Sequence, residues 1–152
     1  MEQKNLEKGK VGELKVIEKL TNRGIQVKDY TDYDQHKYKQ KKGYDIEILN
    51  TVTGEWDRVD IKSNCKNEYI YLETQNDTKE KLGWFWTSSS DLIYHYDLTT
   101  DDIYGYELKQ MRNFVYKYDI KPEHGKFKNL IGLNVTENKI IKVLYENEKI
   151  TT

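Results

Sequence analysis

The sequence predicts an α/β (α+β) domain spanning residues 1–152, built of strands and helices. Three observations carry this expectation: an apolar stripe at helical spacing near the start, strict two-residue alternation between residues 44 and 74, and a second helical stripe from Leu108 to Tyr118. Residues 3–22 read as a helix closed by Gly24. At 100° per residue, Leu6, Ile17 and Leu20 fall on one side, and Glu13 sits in the middle of the same stripe.

Gly43 then opens an extended region. Over residues 44–49, Asp45 and Glu47 face one way and Ile46 and Ile48 the other. Residues 51–55, with Thr53-Gly54, form a turn, and residues 56–63 return as a strand. On that strand Asp60 and Lys62 share a face, opposite Val59, Ile61 and Ser63. Residues 68–74 give a third strand, and the three are expected to form an antiparallel meander. Residues 81–90 hold a short helix or a turn. Residues 91–98 and 103–107 pair across Thr99-Thr100-Asp101-Asp102. Leu108, Met111, Val115 and Tyr118 recur at helical spacing, and this helix ends before Pro122. Residues 130–145 read as a strand followed by a short element whose type stays open.

Composition sets limits on function. The chain has 152 residues, 36% hydrophobic and 34% charged, which suits one compact core under a charged surface. With 13 tyrosines, much of the apolar area must come from aromatic rings. Twenty-five basic residues offset 26 acidic ones, so any affinity for a polyanion must come from local patches. A single cysteine, Cys65, excludes an intramolecular disulfide and a cysteine-based zinc cluster. There is one proline and no Gly/Ser-rich linker, so no domain boundary is visible. Neither a membrane-length apolar run nor a secretory signal is present, and the expected location is the cytoplasm.

Four residues break the rule of apolar inside and polar outside. Glu13 lies in an apolar helical stripe, Asp45 begins one strand of a hairpin, and Asp60 with Lys62 occupies the next. Two carboxylates about 4 Å apart repel by roughly 4 kcal/mol at an effective dielectric near 20. Either they keep their protons or a cation neutralises them. All-oxygen donors suit Mg²⁺, with Mn²⁺ as a substitute, and such an ion activates water and stabilises charge on a phosphodiester. Lys62 is placed to hold that water or to stabilise the pentavalent phosphate.

On these residues the chain resembles the PD-(D/E)XK nuclease superfamily, whose core runs α-β-β-β-α-β. Gly43-Tyr44-Asp45 matches the first part of its motif, Val59-Asp60-Ile61-Lys62 the second, and Gly12-Glu13 the glutamate of the opening helix. Residues 83–94, a Gly-Trp segment followed by Ser-Ser-Ser-Asp and an apolar strand, look like phage and bacterial members. Tyr44 stands where the motif has proline. The resemblance implies a restriction-endonuclease-like fold, with a mixed central sheet flanked by helices, and Mg²⁺-dependent cleavage of DNA, as an endonuclease in preference to an exonuclease. It implies catalysis by Glu13, Asp45, Asp60 and Lys62, with metal held by Asp45, Asp60, the Ile61 backbone carbonyl and Glu13. It further implies a phage or mobile-element setting, no organic cofactor and, as in many members, a homodimer.

The remaining polar residues divide into contacts and structure. The run His36-Lys37-Tyr38-Lys39-Gln40-Lys41-Lys42 reads as a solvated loop or, through Lys37, Lys39, Lys41 and Lys42, as a contact for a phosphate backbone. Glu47 and Glu73 read as solvated strand residues, His95 and His124 as structural or surface histidines, and Cys65 as inert. Trp84, Phe85 and Trp86 are assigned to packing, and Ser88 and Asp91 to turn or capping bonds. Two other functions stay open: a non-catalytic nucleic-acid-binding module, and a viral interaction protein with vestigial carboxylates.

Overall fold

The structure, a computed structural model, describes residues 2–32, 35, 43–76, 80–122 and 129–144, with the backbone alone for residues 2–8. Helix α1 (Glu2–Asn22) leads into strands β1 (Val27–Asp29), β2 (Ile46–Leu49), β3 (Trp56–Lys62) and β4 (Tyr69–Glu73). A four-residue helix α2 (Trp84–Thr87), strands β5 (Leu92–Tyr96) and β6 (Ile103–Glu107), and helix α3 (Leu108–Lys117) follow. Strands β7 (Leu130–Asn134) and β8 (Lys142–Leu144) complete it. No described helix is long and apolar enough to cross a membrane.

The central sheet is mixed, in the order β1-β2-β3-β5-β6-β8. Strands β2 and β3 form the expected antiparallel hairpin, with Ile46 opposite Val59 and Leu49 opposite Trp56. Asn50 shapes its turn by accepting the N–H groups of Val52 and Thr53, and Gly54 takes a φ of 77°. Strands β5 and β6 pair as expected, from Leu92 opposite Glu107 to Tyr96 opposite Ile103.

The expected three-stranded meander is corrected. The far edge of β3 is taken by β5, running parallel, with Asp60 beside Ile93 and Lys62 beside His95. Strand β4 instead pairs with β7 in a separate two-stranded sheet. Both edges of β3 are therefore filled, and a parallel neighbour needs a long crossover. That crossover contains β4 and α2. It begins at a tight reversal in which Lys66 and Tyr69 bridge, while Asn67 and Glu68 both take positive φ (53° and 66°). Two central residues with positive φ define a primed hairpin turn.

Each face of the central sheet has its own core. On one face Val16 and Leu20 of α1 meet Ile46, Ile48, Val59, Ile61, Leu92 and Tyr94. On the other, Leu108, Met111 and Val115 of α3 meet Ile93, Tyr104 and Tyr106, together with Ile70, Leu72, Ile131 and Leu133 of the small sheet. The alternation along β3 matters most here. Val59 and Ile61 go into the α1 core, so Asp60 and Lys62 must emerge on the α3 side.

The buried stripe of α1 runs through Gly12, Val16 and Leu20, so Glu13 lies at its edge instead of its middle. Gly12 explains the shift. A Cβ there would overlap the Ser63 hydroxyl, so the bare glycine lets α1 lie directly on the end of β3.

Candidate active site

Asp45 stands one residue before β2. Its N–H still donates to the Val59 carbonyl at 2.9 Å, which holds it in line with the hairpin. The backbone of β2 then leaves the pairing, and the Asp45 side chain continues it: Oδ2 accepts the Ile61 N–H at 2.8 Å. In an extended strand the N–H and C=O of one residue project to the same edge. The Ile61 carbonyl therefore shares the edge that Asp45 occupies.

The approach to Asp45 is fixed by Gly43. Its φ is 93°, and a Cβ there would press on the Ser88 backbone at 2.9 Å. Ser88 Oγ lies 2.7 Å from the Gly43 carbonyl, and the Ser90 hydroxyl bonds the same oxygen. Arg112 of α3 secures that segment by donating to the carbonyls of Phe85 and Ser88 at 2.7 and 2.8 Å. The serines after the Gly-Trp segment thus tie α2 to the acidic strand, and Asp91 caps the Arg58 N–H at 2.9 Å. Gly43→Ala is expected to cost about 1–3 kcal/mol from the left-handed backbone alone, and more from the clash. Thermal denaturation should show a lowered Tm, and an unchanged Tm would contradict this account of Gly43.

Asp60 and Asp45 are both buried, 5% and 8% exposed, and their carboxyl groups share a hydrogen bond. Burial, then the charge of Asp60, pushes the Asp45 carboxyl up to about 8, against the opposing pull of the Ile61 N–H. Lys62 Nζ lies 3.1 Å from Asp60 Oδ2. The same ammonium sits 4.9 Å above the Trp84 ring. Lys62 is thus held between a carboxylate and an aromatic face, while its side chain keeps partial contact with solvent.

Glu13 approaches from α1. Burial raises its carboxyl pKa first, Lys10 opposes that, and Asp29 and Asp60 add to it. It therefore lies within electrostatic range of Asp60 and Lys62, but its direct partner is Lys10 at 4.0 Å. Lys10 also donates to the Thr31 carbonyl at 3.2 Å. Thr31 in turn is held by Asp29 through both its N–H (2.8 Å) and its hydroxyl (2.7 Å).

Other predicted positions sort clearly. Lys37, Lys39, Lys41, Lys42, His36 and His124 lie outside the described residues. Glu47 is bonded by the Tyr30 hydroxyl at 2.6 Å. Cys65 is buried beside Asp97, and burial pushes its thiol up to about 12, so it stays protonated. Phe85 is fully buried and Trp86 is partly exposed, whereas Trp84, assigned by sequence to packing alone, touches the key lysine. His95 is fully buried, as a structural histidine would be, but it stands beside Lys62 in the parallel register. Sequence alone could not find that, because the register depends on the crossover.

The donor chemistry fits a small hard cation: two adjoining carboxyls and a backbone carbonyl edge, all oxygen, with a proton retained at one carboxyl where charge is crowded. Among the described residues, no group of three or more His, Cys, Asp or Glu side chains could hold a metal ion. Mg²⁺ ordinarily needs only one or two protein carboxylates, with water and phosphate completing its shell.

No protein-family model matches the chain, and no curated protein does. Among solved structures, a bacterial homing endonuclease, I-Ssp6803I, is similar over 83% of this chain and 75% of its own, at 13% identity and a TM-score of 0.47. That likeness is too distant to assign an activity.

Proposed function

We propose that the protein is a Mg²⁺-dependent deoxyribonuclease of the PD-(D/E)XK kind, acting as an endonuclease in preference to an exonuclease. One observation carries this reading: a buried, hydrogen-bonded pair of carboxyls, Asp45 and Asp60, stands beside a lysine ammonium 3.1 Å from the second. Burying two acids together is costly unless a cation joins them.

Asp45, Asp60 and the Ile61 carbonyl would hold the ion, with Mn²⁺ as a substitute for Mg²⁺. When bound, the ion supplies Lewis acidity to a phosphodiester and its attacking water. Lys62, charged and partly solvent-accessible, neutralises the anion that builds on the phosphate or orients the water. Glu13, on the α1 side and tied to Lys10, takes an outer place in the same field. The Ile61 N–H holds Asp45 through Oδ2, beside Asp60.

The substrate partner is DNA. Described cations for its backbone stand on the sheet face that bears Asp60: Arg58 of β3 lies over the Tyr44 ring at 5.2 Å, and Lys28 of β1, on the far side of β2, lies over Trp56 at 4.1 Å. Lys37, Lys39, Lys41 and Lys42 would add to them. A cytoplasmic, phage- or mobile-element-borne nuclease working as a homodimer is part of the same reading.

The test is a cleavage panel over linear, nicked, branched and single-stranded DNA with Mg²⁺ and with Mn²⁺. Cleavage that EDTA and Asp60→Ala both abolish, with the circular dichroism spectrum retained, is the expected result. Wild-type protein that cuts none of these forms would sink the proposal.

A further inference from the structure

The ring of His95 has no part in the chemistry outlined above, yet it is fully buried at the heart of the site. A buried imidazole must satisfy two nitrogens. Nδ1 lies 2.6 Å from Asn64 Oδ1, and Nε2 lies 2.8 Å from the Tyr106 hydroxyl. The Asn64 amide is oriented by its own bond, Nδ2 donating to the Tyr71 carbonyl of β4 at 2.9 Å. Its oxygen therefore faces His95, so Nδ1 carries the proton and Nε2 accepts from Tyr106. Both nitrogens are used, which leaves the ring neither a metal ligand nor a base. Burial holds its pKa down at about 3, so the ring brings no second cation beside Lys62.

The clamped ring has a neighbour that matters. Trp84 lies 5.9 Å from His95, tilted by 53°, and the Lys62 ammonium sits on the same indole at 4.9 Å. Trp84 begins a helix only four residues long, with no side-chain cap. So short a helix cannot fix an indole by its own hydrogen bonds. The ring must be held by what surrounds it, namely Phe85 at 6.1 Å and His95.

We propose that His95 is a positioning residue: clamped between Asn64 and Tyr106, its ring backs the Trp84 indole and so holds the Lys62 ammonium against Asp60. The catalytic part of this inference rests on the nuclease reading; the positional part does not. Asn64 follows β3 by two residues, Tyr71 lies on β4, and Tyr106 on β6, so the clamp also joins the small sheet to the central one.

Two variants test it, His95→Gln and Tyr106→Phe, each in a full chain where Trp56→Phe and Trp86→Phe leave Trp84 as the one tryptophan. Tyr106→Phe keeps the aromatic ring and removes only the hydroxyl on Nε2, so it reports even if His95→Gln fails to fold. The emission of Trp84 is expected to shift to longer wavelength in both variants. The perturbation that Lys62→Met causes in that emission should shrink. In DNA cleavage, kcat should fall about 10- to 100-fold, the scale of a catalytic group displaced by an ångström, while KM and Mg²⁺ affinity stay within about twofold. Unchanged emission and unchanged kcat in folded variants would overturn the proposal, and so would a loss that appears only in KM or metal affinity. If wild-type protein cuts no DNA, the nuclease reading fails, and the emission measurements alone decide whether His95 positions Lys62.

Discussion

Replacing Lys62 with methionine is expected to lower DNA cleavage by about 10²- to 10³-fold, the effect of removing one preorganised donor to a developing oxyanion. The same variant should bind Mg²⁺ or Mn²⁺ at least as tightly as wild type. The sign follows from charge. The Lys62 ammonium is 3.1 Å from Asp60, so removing it leaves two carboxyls with no cation beside them and makes a divalent ion more welcome. Methionine keeps an unbranched apolar stem against Trp84, which limits the packing loss. Asp60→Asn should behave differently, losing metal affinity and cleavage together. Titration calorimetry beside single-turnover cleavage separates these cases. A Lys62→Met protein that cuts DNA at the wild-type rate would remove the lysine from the mechanism.

Much of this site is written in local sequence. Asp60 and Lys62 share a face because strand side chains alternate, and that period needs no tertiary information. Asp45 meets them because a hairpin returns the chain, and the turn carries its own signal in Asn50 and Gly54. What stayed illegible depends on distant pairing. Strand β1 has only three residues and is recognised by its partner β2, not by its composition. Strand β4 alternates as a meander strand would, yet its partner lies some sixty residues further on, with Tyr69 opposite Asn134. The turn that diverts it puts Asn67 and Glu68 at positive φ, where a glycine would have announced it.

The helix shows how a residue near the carboxyl pair can be reached with part of the geometry missing. Counting apolar positions placed Glu13 in the middle of the stripe, because glycine carries no apolar weight in such a count. Gly12 is in fact what lets α1 settle on Ser63, and Glu13 is carried beside the site from the edge of the buried face. Ser88 was readable as a turn-former, but neither it nor Ser90 as one of the groups that grip Gly43 from forty-five and forty-seven residues away.

The second large effect concerns pH. The Asp45 carboxyl titrates near 8 in the metal-free fold, against about 3.9 in an unfolded chain. Between those values the native state binds more protons than the unfolded one. Stability is therefore fully favoured below about pH 4 as far as this group is concerned, and it is lost as pH rises through about 8. The slope for one group is at most about 1.4 kcal/mol per pH unit. Asp45→Asn removes the ionisation and keeps an oxygen for the Ile61 N–H, and its amide can donate to Asp60. In EDTA, the variant should melt above wild type at pH 8.5, and the difference should close toward pH 5. Mg²⁺ reverses the order, since wild type gains from the ion and the variant has lost a ligand. Because proton and ion compete for Asp45, wild-type cleavage at subsaturating Mg²⁺ should climb as pH rises toward 8, by up to about tenfold per unit. Parallel melting profiles for the two proteins across this range would show that Asp45 is ionised throughout, and the carboxyl pair would then not be the proton-sharing centre described.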